Sequence, residues 1–237
     1  MKSKESSLKK SILAEVVFEI RFNPIIDLSL IVGSIHDKLK KDYPEFENLN
    51  VPDFPSTPNS PEFIFPTSIV KYRFYSDDRK HLYSLGSGVL SIHTTDYESF
   101  EKFKNSITMV LRIYEEITHI KILSRMGLRY INIIPLGHET FNDVFKVNFT
   151  LPKNVQHYQK GFNIQSLGII NGDSFSFRLQ SSDPTSTESV VLDLDYFSQV
   201  NIQFNLLQID SWSIKAHKFI LDLFNDTLTE DYLGKVT

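Results

Sequence analysis

The sequence predicts an α+β fold in which antiparallel sheets carry long amphipathic helices packed on one face. Apolar side chains recur at three- and four-residue steps over residues 96–118, which indicates a helix with one buried side. Residues 122–134 then alternate with a period of two, as a strand does, and Leu13–Phe22 shows the same alternation. Nineteen Phe and ten Tyr, many in alternating runs, also favour strands over a helical bundle.

The chain begins with a predicted strand followed by a helix. Leu13–Phe22 has one apolar and one charged face. We predict a helix over residues 24–43, with Asn23 as its cap and Pro24 at its first position. Residues 44–66 hold six of the ten prolines and predict a long surface connection, with a lid over a pocket as the alternative.

A meander and the long helix complete the N-terminal half. Strands are predicted over residues 68–75, 80–86 and 88–94, with turns at 77–78 and 86–88. Thr95 and Glu98 have capping-box spacing at the start of the helix of residues 96–118. The predicted stripe of this helix is Phe100, Phe103, Ile107, Val110, Tyr114 and Ile117.

The C-terminal half is predicted to repeat strands and then a helix. The strands cover residues 145–151, 165–170, 174–180, 189–194 and 201–208. Asn171-Gly172 predicts a hairpin turn, and residues 181–189 predict a polar loop. The helix of residues 211–227, capped by Asp210 or Ser211, has the stripe Ile214, His217, Leu221, Phe224 and Leu228.

Two domain organisations are consistent with these patterns. A shift of 114 residues superimposes five positions of the two helical stripes, which indicates two similar halves, 1–136 and 137–237, of helix-grip or saddle type. Two amphipathic helices also align by period alone, so one continuous domain is the alternative.

Composition narrows the class of protein. The formal net charge of -4 argues against nucleic acid as a partner, because phosphate binding needs clustered Lys and Arg. The absence of Cys excludes disulfides and thiolate metal sites and suits a cytoplasmic protein. We expect no membrane span, no metal site and no cofactor, since the apolar runs are short and the seven His form no HxxxH or HExxH pair.

Charged side chains on the two long strands are the main candidates for a ligand or partner site. Glu19 and Arg21 lie on the charged face of the first strand, and Arg125 and Arg129 on one face of the later strand. If these strands are neighbours, Glu19 and Arg129 project from the same side of the sheet. The group is then either a surface ladder of ion pairs or the polar wall of a cavity, where Arg offers a fork for a carboxylate or phosphate.

Histidines supply the remaining candidates. His217 lies on the predicted stripe of the last helix, where it is either a hydrogen-bonded core residue or a ligand contact. His81 and His93, with the acidic turn at 77–78, are the one grouping that could be drawn as an acid–base set. Asp in a hairpin turn more often makes local hydrogen bonds, so a structural role is favoured there.

The runs EVVFEIRF and GLRYINIIPL, together with the terminal helix, resemble an uncharacterised, sporadically distributed bacterial family. Members often carry a Pro-Leu pair where this chain has Ser11 and Ile12. The resemblance covers nearly the whole chain and implies a gene that travels between genomes as mobile accessory genes do. It implies no activity and no cofactor.

Two main functional hypotheses follow, and a hydrolase that uses the region of His81 and His93 is a third, less favoured one. In the first, the chain is a non-enzymatic regulatory or protein-interaction subunit of a mobile bacterial system, of phage-defence or toxin–antitoxin type, whose partner is encoded nearby or is a second copy in a homodimer. In the second, it is a small-ligand-binding module with a cavity between sheet and helices. The predicted cavity lining is Tyr72, Phe74, Tyr83, Tyr130 and Phe177.

Overall fold

The computed structural model describes residues 12–25, 27–49, 70–147, 161–183, 186–199 and 201–236. The strands of this part are β1 (Leu13–Phe22), β2 (Glu45–Asn48), β3 (Val70–Tyr75), β4 (His81–Gly86), β5 (Val89–Thr94), β6 (Ile122–Pro135), β7 (Asn163–Ile170), β8 (Asp173–Asp183), β9 (Ser186–Ser198) and β10 (Ile202–Gln203). Its helices are α1 (Leu28–Leu39), α2 (Phe100–Thr118), α3 (Phe141–Val144), α4 (Leu206–Thr227) and α5 (Glu230–Val236).

The described strands pair antiparallel in one sheet. Its order is β2-β3-β4-β5-β1-β6-β9-β8-β7, and β10 pairs with β6. The first of the described strands, β1, therefore lies in the middle of the sheet, between β5 and β6. The prediction of an α+β fold with antiparallel strands is confirmed.

The two faces of the sheet differ in chemistry. The apolar face carries a row of paired residues that runs across the sheet, from Phe74 and Tyr83 through Ile92, Phe18 and Leu128 to Tyr196. Every residue of that row is at most 1% exposed. The other face, which we call the charged face, carries Glu19, Arg125, Arg129, Asp193 and Asp195, because successive side chains of a strand alternate between faces.

Aromatic contacts join the helices to the apolar face. His36 of α1 lies with its ring centroid 5.4 Å from that of Phe74. Tyr114 of α2 contacts Phe22 at the same centroid distance of 5.4 Å. Trp212 of α4 packs edge-on against Phe18 and also contacts Tyr196. These contacts belong to the hydrophobic core of the described part of the chain.

The first two long helices begin later than predicted. In α1, Leu28, Ile35 and Leu39 are buried, and Asp27 rather than Asn23 precedes the helix. The stripe of α2 is buried from Phe100 to Tyr114. Its cap is Ser99, whose side chain accepts a hydrogen bond from the backbone N–H of Lys102, so the predicted start at residue 96 with a Thr95–Glu98 box is wrong.

The last long helix begins earlier than predicted. The Asn205 side chain caps α4 by accepting hydrogen bonds from the backbone N–H groups of residues 207 and 208, so the predicted cap at Asp210 or Ser211 is wrong. Only Ile202–Gln203 of the predicted strand 201–208 pairs in the sheet. The buried stripe is Ile209, Ser213, Ala216, Ile220, Phe224 and Thr227, and Ile214 of the predicted stripe is 45% exposed.

Other elements depart from prediction in detail. β2 lies inside the proline-rich segment at the edge of the sheet, and residues 50–69 lie outside the described part. Most of the predicted polar loop 181–189 belongs to β8 and β9. Of the predicted strand 145–151, Phe145 makes an isolated bridge with Leu228, and residues 148–151 are outside the described part.

The predicted Asn171-Gly172 hairpin is present between β7 and β8. Ile170 pairs with Asp173 across a two-residue loop, and the positive φ angles of 51° at Asn171 and 83° at Gly172 are those that such tight turns require. Asp173 ties this hairpin to α4, because its carboxylate accepts a hydrogen bond from Lys215 Nζ at 2.7 Å. The same carboxylate accepts hydrogen bonds from the Tyr196 hydroxyl at 2.8 Å and from Trp212 Nε1 at 3.3 Å.

Candidate functional site

The predicted site residues of the two long strands come together on the charged face. β1 and β6 are antiparallel neighbours, with Glu19 opposite Gly127, Arg21 opposite Arg125 and Val17 opposite Arg129. Glu19 and Arg129 therefore share a face, as expected for neighbouring strands. They do not bond to each other: Glu19 binds Arg125, and Arg129 binds Asp193 on β9.

Arg125 lies at the centre of this group. Its Nη1 donates to Glu19 Oε1 at 2.7 Å, and its Nη2 donates to Asp195 Oδ2 at 2.9 Å, so one guanidinium joins β1, β6 and β9. Its Cζ is 4.8 Å from the ring centroid of Phe197, within range of a cation–π contact. The side chain is only 14% exposed although it lies on an outer face of the sheet.

Gly127 makes the position of Arg125 possible. A Cβ atom at residue 127 would lie 2.4 Å from Arg125 Nη1 and 2.9 Å from its Cζ, closer than real Cβ contacts come. The guanidinium therefore occupies the space that any other residue at 127 would fill. Because the glycine stands opposite Glu19, this space brings Arg125 against the carboxylate.

Arg129 is held by a forked ion pair. Its Nε and Nη2 donate to the two carboxylate oxygens of Asp193 at 2.7 and 2.6 Å. The hydrogen bond to Asp193 raises the pKa of the guanidinium above its ordinary value, against the opposite effect of burial. Arg129 keeps 44% of its side chain exposed while that of Asp193 is 11% exposed, so the pair presents its cationic half to the outside.

Asp195 is the most perturbed carboxyl of the charged face. Burial raises its pKa to about 6, and the neighbouring charges of Asp193 and Glu19 act in the same direction. Arg125 and Arg129 oppose that rise. Asp195 therefore exchanges its proton in a range where ordinary aspartates are already ionised.

Further polar contacts extend the group towards β5. Arg21 Nε donates to Glu19 Oε1 at 2.8 Å. His93 Nδ1 lies 2.7 Å from Glu15 Oε1, and its Nε2 lies 2.8 Å from Ser91 Oγ. The hydrogen bond from His93 is the main cause of a lowered pKa at Glu15. These bonds pair the charged groups within three separate sets on one face of the sheet, so the surface is preorganised.

The proposed acid–base grouping of His81 and His93 is divided by the sheet. His93 pairs with Leu82 and points to the charged face, whereas His81 pairs with Thr94, which stands opposite Val16 of the apolar face. Asp78 accepts local hydrogen bonds from Ser76 Oγ and from the backbone of Lys80, which is the structural role expected of a turn aspartate.

His217 also lies across the sheet from the arginines. Its ring stacks on Phe100 with centroids 4.1 Å apart, and its Nδ1 lies 2.9 Å from the hydroxyl of Tyr130. That hydroxyl is in turn 3.2 Å from the hydroxyl of Tyr97. Burial lowers the pKa of His217 to about 4, so the ring is neutral at physiological pH. The five predicted site residues are therefore divided: the four strand residues lie on the charged face, and His217 lies on the opposite side of the sheet.

A cavity between sheet and helices exists, but it is small. It has a volume of about 10 Å³ and is lined by Tyr130, Asn132, His217 and apolar neighbours, which leaves room for roughly one water molecule. Two residues of the predicted lining, Phe74 and Tyr83, are fully buried and stack with centroids 4.1 Å apart. A second cleft of about 220 Å³ lies at the start of α2, where Ser99 and Lys102 line it beside acidic groups.

Sequence reasoning missed Gly127, Asp193, Asp195 and Phe197. The alternation Asp193-Leu194-Asp195-Tyr196 carried a signal, because it places two carboxylates on one face of a strand whose other face is apolar. The described residues include no group of three or more His, Asp or Glu that could hold a metal ion. None of the described helices combines the length and apolar character that crossing a bilayer requires.

Comparison with known proteins adds no assignment: no protein-family model matches the chain, and a search of curated proteins found no match either.

Proposed function

We propose that this chain is a non-enzymatic protein-interaction subunit that binds its partner through the charged face. The proposed system is a mobile bacterial one of the cytoplasm, of phage-defence or toxin–antitoxin type with the partner encoded nearby, and its support is the resemblance of the strand motifs. In this proposal the long helices all pack on the apolar face, in a helix-grip or saddle-like arrangement of two similar halves.

The observation that carries the proposal is the placement of Arg125 over Gly127. The guanidinium is fixed by Glu19 and Asp195 and lies beside Phe197. Arginine and aromatic side chains dominate the binding energy of protein interfaces, and a side chain that is already ordered loses little entropy on binding. The alternating charges around it supply the complementarity that selects one partner over another.

The small-ligand alternative has weaker support. Both guanidiniums already bind protein carboxylates, so a ligand carboxylate would meet charges that Asp193 and Asp195 have largely neutralised. The cavity beside His217 has room for about one water molecule, far below the roughly 300 Å³ at which ligand pockets begin. A preorganised outer surface fits a protein partner better.

A charge swap tests the proposal. Arg129→Asp and Asp193→Arg should each cost about 1–3 kcal/mol, because each leaves two like charges side by side. The double variant restores an ion pair with inverted polarity on the same face. We expect it to regain most of the lost stability in urea denaturation but to bind the co-expressed neighbouring gene product at least ten-fold more weakly in calorimetry.

The matched control is a swap of the exposed ion pair Asp37–Lys40 near the end of α1, whose atoms are 2.9 Å apart. Asp37→Lys with Lys40→Asp should leave partner binding unchanged. Ile133→Glu is a second variant on the charged face that keeps every ion pair, and Ile133 is 44% exposed. If the stable swap variant and Ile133→Glu both bind the partner like the unaltered chain, the proposal is wrong.

A further inference from the structure

β7 forms one edge of the described sheet; it is eight residues long and carries no charged residue. Its sequence is NIQSLGII, and it pairs with β8 in unbroken register from Asn163–Gln180 to Ile170–Asp173. In the part of the chain that the structure describes, β8 is its one neighbour in the sheet. Natural edge strands usually prevent further pairing with charges, prolines or bulges, so a neutral, regular edge is a site for another strand.

Exposed apolar side chains concentrate on the same strand. Ile169 is 79% exposed and Leu167 is 63% exposed, and Ile170 next to them is 36% exposed. Leu167 pairs with Ser176 and Ile169 with Ser174, so both side chains lie on the charged face at its margin. Branched side chains in such positions gain stability when a neighbouring strand covers them.

The opposite edge of the sheet has a different chemistry. β2, with the sequence EFEN, holds two carboxylates in four residues, and Glu45 and Glu47 make contacts with Arg79 and Tyr75. Like charges placed directly opposite each other destabilise a strand pair. Of the two edges of the described sheet, β7 is therefore the one suited to pairing with an identical strand.

We propose that β7 pairs antiparallel with β7 of a second copy of this chain, joining two sheets into one across a two-fold axis. A two-fold interface uses the same patch on both subunits, so the strand must be complementary to itself. Pairing centred on Gly168 meets this condition, because Leu167 of each copy then stands opposite Ile169 of the other. The absence of charge in Asn163–Ile170 means that no like charges meet along the strand.

Gly168 suits the centre of this pairing for a second reason. The ring of Phe175 lies over it, so that a Cβ at residue 168 would come within 2.4 Å of the ring. The apolar side of the strand is thus filled from within the subunit at the point where the axis passes. Leu167 and Ile169 are left to make the contacts between subunits on the other side.

Light scattering on the purified full-length chain tests the assembly. We expect a particle of twice the 27.4 kDa chain mass that dissociates on dilution. Leu167→Lys with Ile169→Lys should give a monomer at every concentration, because four lysines would meet at the axis. Leu207→Lys is the matched control, since Leu207 is 80% exposed at the start of α4 and should leave the dimer intact.

Cysteine cross-linking tests the register. The chain contains no Cys, so introduced thiols are the only ones present. Leu167→Cys with Ile169→Cys should form intermolecular disulfides in high yield under mild oxidation, because the two positions face each other in the proposed pairing. Gln165→Cys with Ile169→Cys, whose positions are offset by two residues in that register, should cross-link several-fold less.

Two outcomes would overturn the inference: a monomeric unaltered chain over the whole concentration range, or a dimer that survives the double lysine variant. The test is independent of the proposed function. The swap of Arg129 and Asp193, which leaves β7 unaltered, should weaken partner binding but leave the dimer intact. Failure of one proposal is thus recognised without failure of the other.

Discussion

Replacing Gly127 with alanine tests whether the backbone beneath Arg125 holds the charged face together. The new methyl group would lie 2.4 Å from Nη1, 2.9 Å from Cζ and 3.0 Å from Nη2 of Arg125. The atoms in its way are the far end of a flexible side chain, so the guanidinium can move aside. Moving it breaks the bonds of 2.7 Å to Glu19 and 2.9 Å to Asp195.

The expected loss of folding free energy follows from the carboxylates of Glu19 and Asp195, which lose their hydrogen bonds to Arg125. A polar group left without its partner in a buried place costs about 1–3 kcal/mol, and the 20% exposure of the Asp195 side chain puts the loss near the middle, at about 2 kcal/mol. Alanine regains roughly 0.5–1 kcal/mol over glycine within a strand. The net loss of about 1–1.5 kcal/mol should lower the melting temperature by roughly 4 °C in a chain of this size.

Urea denaturation in a double-mutant cycle provides the assay. In an Arg125→Ala background the obstructing guanidinium is gone, so Gly127→Ala should be neutral or stabilising by about 0.5–1 kcal/mol. Gly33→Ala in α1 is the control, because nothing lies within 4 Å of a Cβ at that position, and it should stabilise the helix. Equal costs of Gly127→Ala in both backgrounds would refute the reasoning.

Three further predictions concern titrating groups. Burial raises the pKa of Asp195 to about 6 from 3.8, so stability should be lost as pH rises through that window, and Asp195→Asn should flatten urea-denaturation profiles there. Burial lowers the pKa of His217 to about 4 from 6.5, so its contribution should vanish as pH falls through that range; His217→Ala should cost about 1–3 kcal/mol at pH 7 and measurably less at pH 4. Burial alone would raise the pKa of Asp173, but the hydrogen bonds from Lys215, the Tyr196 hydroxyl and the Trp212 ring N–H outweigh burial and lower the pKa. Asp173→Asn should therefore reduce the melting temperature at pH 7 and progressively less below pH 4, whereas Asp222→Asn on the outer side of α4 should change it at neither pH.

The long regular elements were predictable because their patterns extend over many residues. Burial alternates from Val16 to Phe22 in β1 and from Leu128 to Pro135 in β6, and α2 keeps its buried stripe from Phe100 to Tyr114. Helix starts were less predictable, because a single side chain decides them: Ser99 and Asn205 accept the backbone bonds, although residues nearby had equally good capping chemistry. In α4, apolar residues occur around most of the helix, so periodicity alone did not identify the buried side.

The charged face was predictable as a face but not as a set of bonds. Alternation placed Glu19 with one group of strand residues and Arg125 and Arg129 with another. Which of them meet depends on register and on the third strand, β9, which contributes Asp193 and Asp195 from sixty or more residues later in the chain. Sheet order arises from packing of the whole chain, and no local pattern encodes it.

The central place of β1 has a consequence for synthesis of the chain. Val16 of β1 pairs with Thr94 on one side and Tyr130 on the other, so β1 is synthesised more than a hundred residues before its second neighbour. At roughly 5–20 residues per second, translation of that stretch takes about 5–20 s. During that time the apolar side of β1, with Phe18 and Ile20, has no complete sheet to join. The central pairing of β1 with β6 therefore forms only after β6 has been synthesised, which favours late assembly of the sheet.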